Sequence, residues 1–221
     1  SDKNTNKNNN KNKKHNNRFN NKNYYNEEEV SNPKITKTHH KIAEVVDYLY
    51  YQKLCPAVIF VFSIKRITEY AKMLSLTNLF EEDEKDKPEK IKKFYHSVLN
   101  SMAQEDREIP QVKELAEILP SGIGLHHSGL LPILKETIEV LYSQGLLKVL
   151  FATTSFSIGL NMPTRTVVFS DIYKFNDEAK EILSSSEYLQ MCGRAGRRGI
   201  DKIGNVFILL SDQAKKDEPK E

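Results

Sequence analysis

Short apolar runs alternate along the chain with longer segments of helical periodicity, and this alternation constrains the fold more than any other feature. The run AVIFVF at 57–62 is rich in β-branched and aromatic residues, as expected of a buried parallel strand. Parallel neighbours need long crossovers, so the pattern predicts an α/β domain with a mainly parallel sheet covered on both faces. The predicted elements are strands at 57–62, 122–127, 149–152, 166–169 and 205–210, and helices at 38–53, 64–76, 89–103, 110–119, 132–144 and 186–196.

The first 32 residues form an Asn/Lys tract with almost no apolar side chains. Such a segment buries too little surface to offset the entropy of ordering it, so we predict a disordered segment at 1–35, a globular domain at 36–217 and a tail at 218–221. The Lys13–Lys14 pair is compatible with a nuclear import signal, although a solvated low-complexity insert is the preferred interpretation. Because the chain begins at Ser1 rather than at Met, we expect it to be a piece of a longer protein.

Charge and cysteine content exclude some classes of protein. The chain has 33 basic and 30 acidic side chains, and the tract at 1–32 holds seven and four of them, which leaves 26 of each sign for the remainder. Bulk charge therefore does not predict a nucleic-acid partner, and such a prediction needs local motifs. No apolar run approaches the length of a membrane span, and we expect no membrane partner. Two cysteines without a C-x-x-C motif predict neither a disulfide framework nor a zinc site, and a reducing, intracellular setting is expected.

The strongest chemical signal is the segment QMCGRAGRRG at 190–199. Gln190, Arg194 and Arg197 lie at positions i, i+4 and i+7, so we predict that they share one helical face. Two guanidinium groups on one face suit a polyanion with planar oxygen geometry, such as a triphosphate. An ordinary exposed basic helix end is the alternative.

Three further segments place polar groups where predicted strands end. FATTSFSIGLNMP at 151–163 has a hydroxyl cluster and a glycine turn, which suit phosphate or sugar oxygens but also fit a helix N-cap. GIGLHHSGLLP at 122–132 contains a His pair, which by itself favours a structural role over a metal site. Ligands of such sheets bind beyond the carboxyl ends of the strands, so we expect these segments, FSIKR at 62–66 and the helix at 186–196 to form a site there.

These segments resemble the motifs of superfamily-two helicases. The form QMCGRAGRRG resembles motif VI of the Ski-type DExH-box RNA helicases, 151–163 resembles motif V, 62–66 motif IV and 122–132 the H-H-x-G-L-L-P segment of that family. The resemblance covers most of residues 36–217 and implies a RecA-like helicase C-terminal domain, a three-layer α/β/α lobe with a mainly parallel sheet. The phosphate loop and the D-E-x-H quartet of the first lobe are absent from this sequence, so the chain alone is predicted to have no ATPase activity.

The resemblance also implies roles for individual residues. Arg194 and Arg197 would reach the phosphates of ATP across the cleft between two lobes, with Arg197 as the arginine finger. Gln190, Gly159 and Asn161 would face the nucleotide, while the first lobe would hold Mg²⁺ and no metal ligand is predicted in this chain. The residues implied in RNA backbone contacts are Ser63, Lys65, His126, His127, Gly129 and Thr153.

Within the family, EDREIPQ at 105–111, LLPILKE at 130–136 and TRTVVF at 164–169 resemble the nuclear exosome-associated helicases of the TRAMP polyadenylation complex. That resemblance implies 3′-to-5′ RNA unwinding that feeds the RNA exosome, adaptor proteins as partners and a nuclear location. A cytoplasmic superkiller-type lobe is the alternative. The rivals from other classes are a non-catalytic RNA-binding RecA-like module and a doubly wound nucleotide-binding transferase, and the lack of a glycine fingerprint after the first strand disfavours the latter.

Overall fold

The structure, a computed structural model, describes residues 37–154, 162–175 and 180–209. The strands in these ranges are β1 (Ala57–Phe60), β2 (Ile123–His126), β3 (Val149–Ala152), β4 (Thr166–Phe169), β5 (Tyr173–Phe175), β6 (Lys180–Ile182) and β7 (Asn205–Ile208). Five of these described strands form one parallel sheet in the order β2-β3-β1-β4-β7. The strands pair from their first residues, so their carboxyl ends are level.

Helices cover both faces of this sheet. On one face, Tyr70 packs against Phe151, with ring centroids 6.0 Å apart. On the other face, Phe169 stacks on Phe60 at 5.7 Å and contacts Tyr188 at 5.2 Å. All residues of β1 to β4 are buried, as strands covered on both faces require. The predicted three-layer, RecA-like α/β/α fold is therefore confirmed.

The helices follow the predicted positions closely. They are α1 (Lys37–Tyr51), α2 (Ile64–Ser75), α3 (Lys87–Ser101), α4 (Gln104–Arg107), α5 (Pro110–Ile118), α6 (Pro132–Ser143) and α7 (Ser185–Cys192), with 3₁₀ turns at Glu82–Glu84 and Leu119–Ser121. Most bounds differ from the predicted ones by one or two residues. Two features were not predicted, the short helix α4 and the β5–β6 hairpin, because three- and four-residue elements are too short to show a period. The larger error is α7, which was predicted to reach residue 196.

The chain divides into two compact units, Ser1–Asp47 and Tyr48–Glu221. In the first unit the described helical residues Ile42, Ala43 and Val46 are buried. The second unit contains the sheet and the residues considered below. Across the described ranges, none of the helices combines the length and the apolar character that crossing a membrane requires.

Candidate functional site

The carboxyl ends of β2, β3 and β1 lie side by side, and we call this end of the sheet the carboxyl edge. Thr153 N donates to His126 O at 3.1 Å, and Val61 N donates to Ala152 O at 2.9 Å, so the backbone ties the three strand ends together. The structure thus brings together three segments that the sequence separates widely. They contain Ser63, His126 and Thr153, which were predicted to contact RNA.

Ser63 and Lys65 lie where β1 passes into α2. The Ser63 hydroxyl accepts from Arg66 N at 3.4 Å and so caps the amino end of α2. Lys65 is exposed in the first turn of α2. The helix dipole disfavours a cation at this end, so Lys65 does not stabilise its own helix, and its charge is accessible to an anionic ligand.

The two histidines lie beneath the surface of the carboxyl edge. The side chain of His126 is 5% exposed, with Nε2 2.8 Å from Glu139 Oε1. Burial lowers the pKa of His126, although the contact with Glu139 opposes that shift. His127 Nδ1 accepts from Gly129 N at 3.1 Å, and burial lowers the pKa of His127 as well. The exposed part of this segment is therefore Ser128 and Gly129 rather than the imidazole rings.

A glutamine that the sequence did not single out holds the turn after β2. Gln111, in the first turn of α5, accepts from Leu131 N at 2.9 Å and donates through Nε2 to Gly129 O at 3.4 Å. A Cβ atom at Gly129 would lie 3.9 Å from Ile64 Cδ1, so the turn sits against the start of α2. The segments at 62–66 and 122–132 thus meet in one surface.

The arginine segment has a different backbone from the predicted one. Helix α7 ends at Cys192 with Gly193 as its C-cap, and Gly196 has a φ of +90°. Arg194 and Arg197 therefore do not share a helical face with Gln190, which is exposed in the last turn of α7, and that prediction was wrong. The helix stops because the backbone groups that would continue it bond to another part of the chain.

That other part is Thr164, two residues before β4. Thr164 N donates to Arg194 O at 2.9 Å, and Gly196 N donates to Thr164 O at 2.7 Å. The fully buried Thr164 hydroxyl donates to Pro56 O at 2.7 Å and accepts from the Tyr142 hydroxyl. The arginine segment is therefore fixed beside the amino ends of β1 and β4. We call this end of the sheet the amino edge, and the expectation that the arginines lie at the carboxyl edge was wrong.

Two glycines allow a second backbone to close on the arginine segment. A Cβ atom at Gly196 would lie 3.2 Å from Gly204 Cα, and one at Gly204 would lie 2.8 Å from Gly196 N and closer still to the Ala195 carbonyl. Only glycine permits this approach of one backbone to another. The segment is thus held between Thr164 on one side and Gly204, just before β7, on the other.

We call these backbone contacts of the arginine segment with Thr164 and Gly204 the backbone mount. The side chain of Arg197 extends from this segment and forms an ion pair with Asp201. Arg197 Nε donates to Asp201 Oδ2 at 2.7 Å, and Nη2 donates to Oδ1 at 2.9 Å. The guanidinium holds the pKa of Asp201 below its ordinary value, and the carboxylate raises that of Arg197. Asp201 was not among the predicted site residues, although opposite charges four residues apart in the sequence indicate a possible ion pair.

Gly159 and Asn161, predicted to face the nucleotide, lie outside the described residues. Within the described ranges, no group of three or more His, Cys, Asp or Glu side chains is placed to hold a metal ion. The described residues thus place two arginines, Arg194 and Arg197, at the amino edge of the sheet. They place polar side chains and exposed backbone groups at the carboxyl edge.

A parallel α/β/α lobe with a backbone-mounted arginine segment at its amino edge defines a RecA-like lobe of the helicase type. The helicase conserved C-terminal domain matches residues 71–199, so the chain belongs to that family, and it is a C-terminal lobe of the Ski type.

Known relatives agree with this assignment. The chain is 48% identical over 172 residues to the DExH-box ATP-dependent RNA helicase DExH9 of Arabidopsis thaliana, a match that covers 78% of this chain and 17% of that protein. It is 42% identical over 179 residues to the exosome RNA helicase MTR4 of Homo sapiens, covering 80% of this chain and 17% of that protein. It is 46% identical over 166 residues to the antiviral helicase SKI2 of Saccharomyces cerevisiae, covering 75% and 13%. The chain thus spans less than a fifth of the length of these relatives.

Proposed function

We propose that this chain is the second motor lobe of an ATP-dependent RNA helicase that moves 3′ to 5′, with ATP at the amino edge and RNA at the carboxyl edge. The observation that carries the proposal is the backbone mount of the arginine segment on Thr164 and Gly204. A motor must couple a phosphate-sensing group to a nucleic-acid contact. The residues proposed for these two roles lie at opposite ends of the same parallel strands, so movement of the lobe would displace them together.

At the amino edge, Arg194 and Arg197 are proposed to contact the phosphates of ATP, with Gln190, Gly159 and Asn161 toward the nucleotide. Guanidinium donors fit a triphosphate because they bind pairs of oxygens in a plane. The described residues offer no comparable fit for Mg²⁺. We assign that ion to the first lobe, the proposed intramolecular partner.

At the carboxyl edge, Ser63, Lys65, Thr153 and the exposed backbone at Ser128 and Gly129 are proposed to contact phosphate and ribose oxygens. His126 and His127 would support this surface from beneath, since both side chains are buried. Contacts of this kind carry no base information, so binding should be independent of sequence and should weaken with salt.

We further propose that the full-length protein unwinds RNA for the exosome in the nucleus, together with adaptor proteins. The names of relatives support two settings, an exosome helicase and an antiviral helicase, at similar identity. A cytoplasmic, superkiller-type role is therefore the alternative. Fluorescence imaging of the tagged full-length protein, with mass spectrometry of its co-purified partners, separates the two roles.

The helicase proposal is tested with the full-length protein and two labelled RNA duplexes, one with a 3′ and one with a 5′ overhang. We expect RNA-stimulated phosphate release and ATP-dependent unwinding of the 3′-overhang duplex only. The 221-residue chain alone is the control, and it should release no phosphate above a protein-free blank. RNA binding by the full-length protein without any hydrolysis would instead support the non-catalytic RNA-binding module.

A further inference from the structure

Asp201 is held more rigidly than a carboxylate in an ordinary surface ion pair. Its side chain is 6% exposed. Besides the two bonds from the guanidinium, Oδ2 accepts from the backbone N–H of Arg197 at 3.0 Å. Asp201 N in turn donates to Arg197 O at 2.9 Å, and Arg165 Nε lies 3.8 Å from Oδ1. The carboxylate is thus fixed by the same short turn that carries Arg197.

The pairing uses only one edge of the guanidinium group. A guanidinium has five N–H donors, and the carboxylate takes one from Nε and one from Nη2. The end edge, formed by Nη1 and the second N–H of Nη2, keeps the geometry that binds two oxygens in a plane. The Arg197 side chain is 27% exposed, so part of it is accessible to solvent.

We propose that Asp201 is a positioning residue for Arg197: it grips the Nε–Nη2 edge and so directs the end edge toward the phosphate oxygens of ATP. This inference rests on the proposed function, in which Arg197 stabilises charge on the transferred phosphoryl group. A side chain as long as arginine has many rotamers, and a fixed second partner removes most of them before the nucleotide arrives. A displacement of about 1 Å in a positioned group costs about 10²-fold in rate, so such a grip affects turnover.

A different role for the same contact is sequestration, in which Asp201 would have to release Arg197 before ATP could bind it. The geometry argues against that role, because carboxylate and phosphate use different edges of the guanidinium. Positioning and sequestration predict opposite signs for the loss of the carboxylate. Positioning predicts slower turnover, whereas sequestration predicts faster turnover.

The test is a double-mutant cycle in the full-length protein with Asp201→Asn, Arg197→Ala and the double variant. The readouts are kcat and KM of RNA-stimulated ATP hydrolysis. Asp201→Asn should lower kcat by about 10- to 100-fold with KM and RNA affinity retained. In the Arg197→Ala background, the same change should cause no further loss, since Asp201 acts only through Arg197. Glu108→Gln, which removes the carboxylate of an exposed ion pair with Lys113, is the matched control and should behave as wild type.

Asp201→Glu keeps the charge but moves the carboxylate by one methylene. It provides a second test of the inference in case the Asp201→Asn variant does not fold. It should show an intermediate kcat at the wild-type melting temperature. Wild-type kcat in both Asp201 variants, a faster Asp201→Asn enzyme, or losses that add to that of Arg197→Ala would each overturn the inference while leaving the role of Arg197 intact. Full turnover by Arg197→Ala would instead overturn the assigned role of Arg197 and, with it, this inference.

Discussion

The two edges of the sheet are built in different ways. At the carboxyl edge, side chains and exposed turns follow the strand ends, and Gln111 holds the turn at 127–131 through side-chain hydrogen bonds. At the amino edge, the arginine segment is fixed through its backbone, between Thr164 and Gly204. A surface that follows a flexible polymer tolerates small displacements, whereas a group that stabilises a transition state does not. The more rigid edge is the one proposed to act in hydrolysis.

The largest effect is expected at the amino edge from Arg197→Ala in the full-length protein. Loss of the guanidinium should lower the RNA-stimulated ATPase rate by about 10³- to 10⁵-fold, the range for arginine fingers in phosphoryl transfer. RNA affinity and the melting temperature should change little. Arg197→Lys should rescue poorly, since an ammonium lacks the planar fork.

Arg198→Ala is the matched control for charge. Arg198 is exposed and takes no part in the hydrogen bonds described between Arg197 and Asp201, so its loss should be mild. Equal losses at Arg197 and Arg198, measured as kcat under the same conditions, would indicate a generic basic patch and would remove the distinction between the two edges.

A smaller loss is expected when the mount itself is disturbed by Gly204→Ala. The new Cβ would meet the backbone of Ala195 and Gly196, and overpacking of this kind costs about 1–3 kcal/mol of folding free energy. Because the shift is transmitted to Arg197, kcat should also fall, by up to about 10²-fold. Thermal melting and steady-state ATPase measurements check both effects.

Gly199→Ala is the control that separates the effect of backbone strain on stability from the effect of disturbing the backbone mount. Gly199 has a φ of +78°, but nothing lies within 4 Å of an added Cβ. It should lose about 1 kcal/mol of stability from its backbone conformation while it keeps most of its kcat. A Gly204→Ala enzyme with wild-type kcat would show that the backbone mount is dispensable.

At the carboxyl edge, Lys65→Ala should weaken RNA binding without affecting the KM for ATP. Loss of one phosphate contact should reduce the slope of log Kd against log salt by about 1, equally for RNAs of different sequence. Fluorescence anisotropy across a salt series measures this slope. Lys92→Ala, on α3, is the control and should leave it unchanged. A loss confined to one RNA sequence would contradict the backbone-contact interpretation.

The smallest effect concerns the pH dependence of stability at the carboxyl edge. The folded-state pKa values of His126 and His127 lie below the ordinary value of 6.5, so the unfolded chain binds more protons as the pH falls. Each histidine therefore contributes stability that is present above pH 6.5 and is lost below it, at most about 1.4 kcal/mol per pH unit. Thermal melts of the 221-residue chain at several pH values should show this decline.

His126→Gln should flatten that decline by removing one of the two titrating groups. The slope that remains near pH 6, above the range in which the carboxylates titrate, is assigned to His127. An unchanged slope in the variant would show that the Glu139 contact offsets the cost of burying a charged imidazole, and that His126 does not carry the pH dependence.

The residues that the structure shows to be structurally decisive were the hardest to predict. Asp201 and Gln111 act through partners that turns bring close, and Thr164 entered the sequence analysis only as part of the segment TRTVVF at 164–169. The i, i+4 spacing of Arg197 and Asp201 was visible, but spacing alone does not reveal that the carboxylate is buried. The helix at 186–196 was predicted from periodicity, which is a local pattern. Periodicity cannot show that Thr164, 30 residues before Arg194, competes for the backbone hydrogen bonds of the helix.

The sequence by itself determined the layers of this lobe, its strand positions and the segments proposed to carry its chemistry. Apolar runs and helical periods are local patterns, and burial of those patterns allows few architectures. Only the tertiary structure decided at which edge each segment lies, because that depends on which distant backbone satisfies its N–H and C=O groups. Thr164 bonds to backbone groups that would otherwise continue helix α7, so the helix ends at Cys192 and the segment 194–197 lies at the amino edge. The expectation that ligands bind beyond the carboxyl ends of the strands had not placed the arginines there.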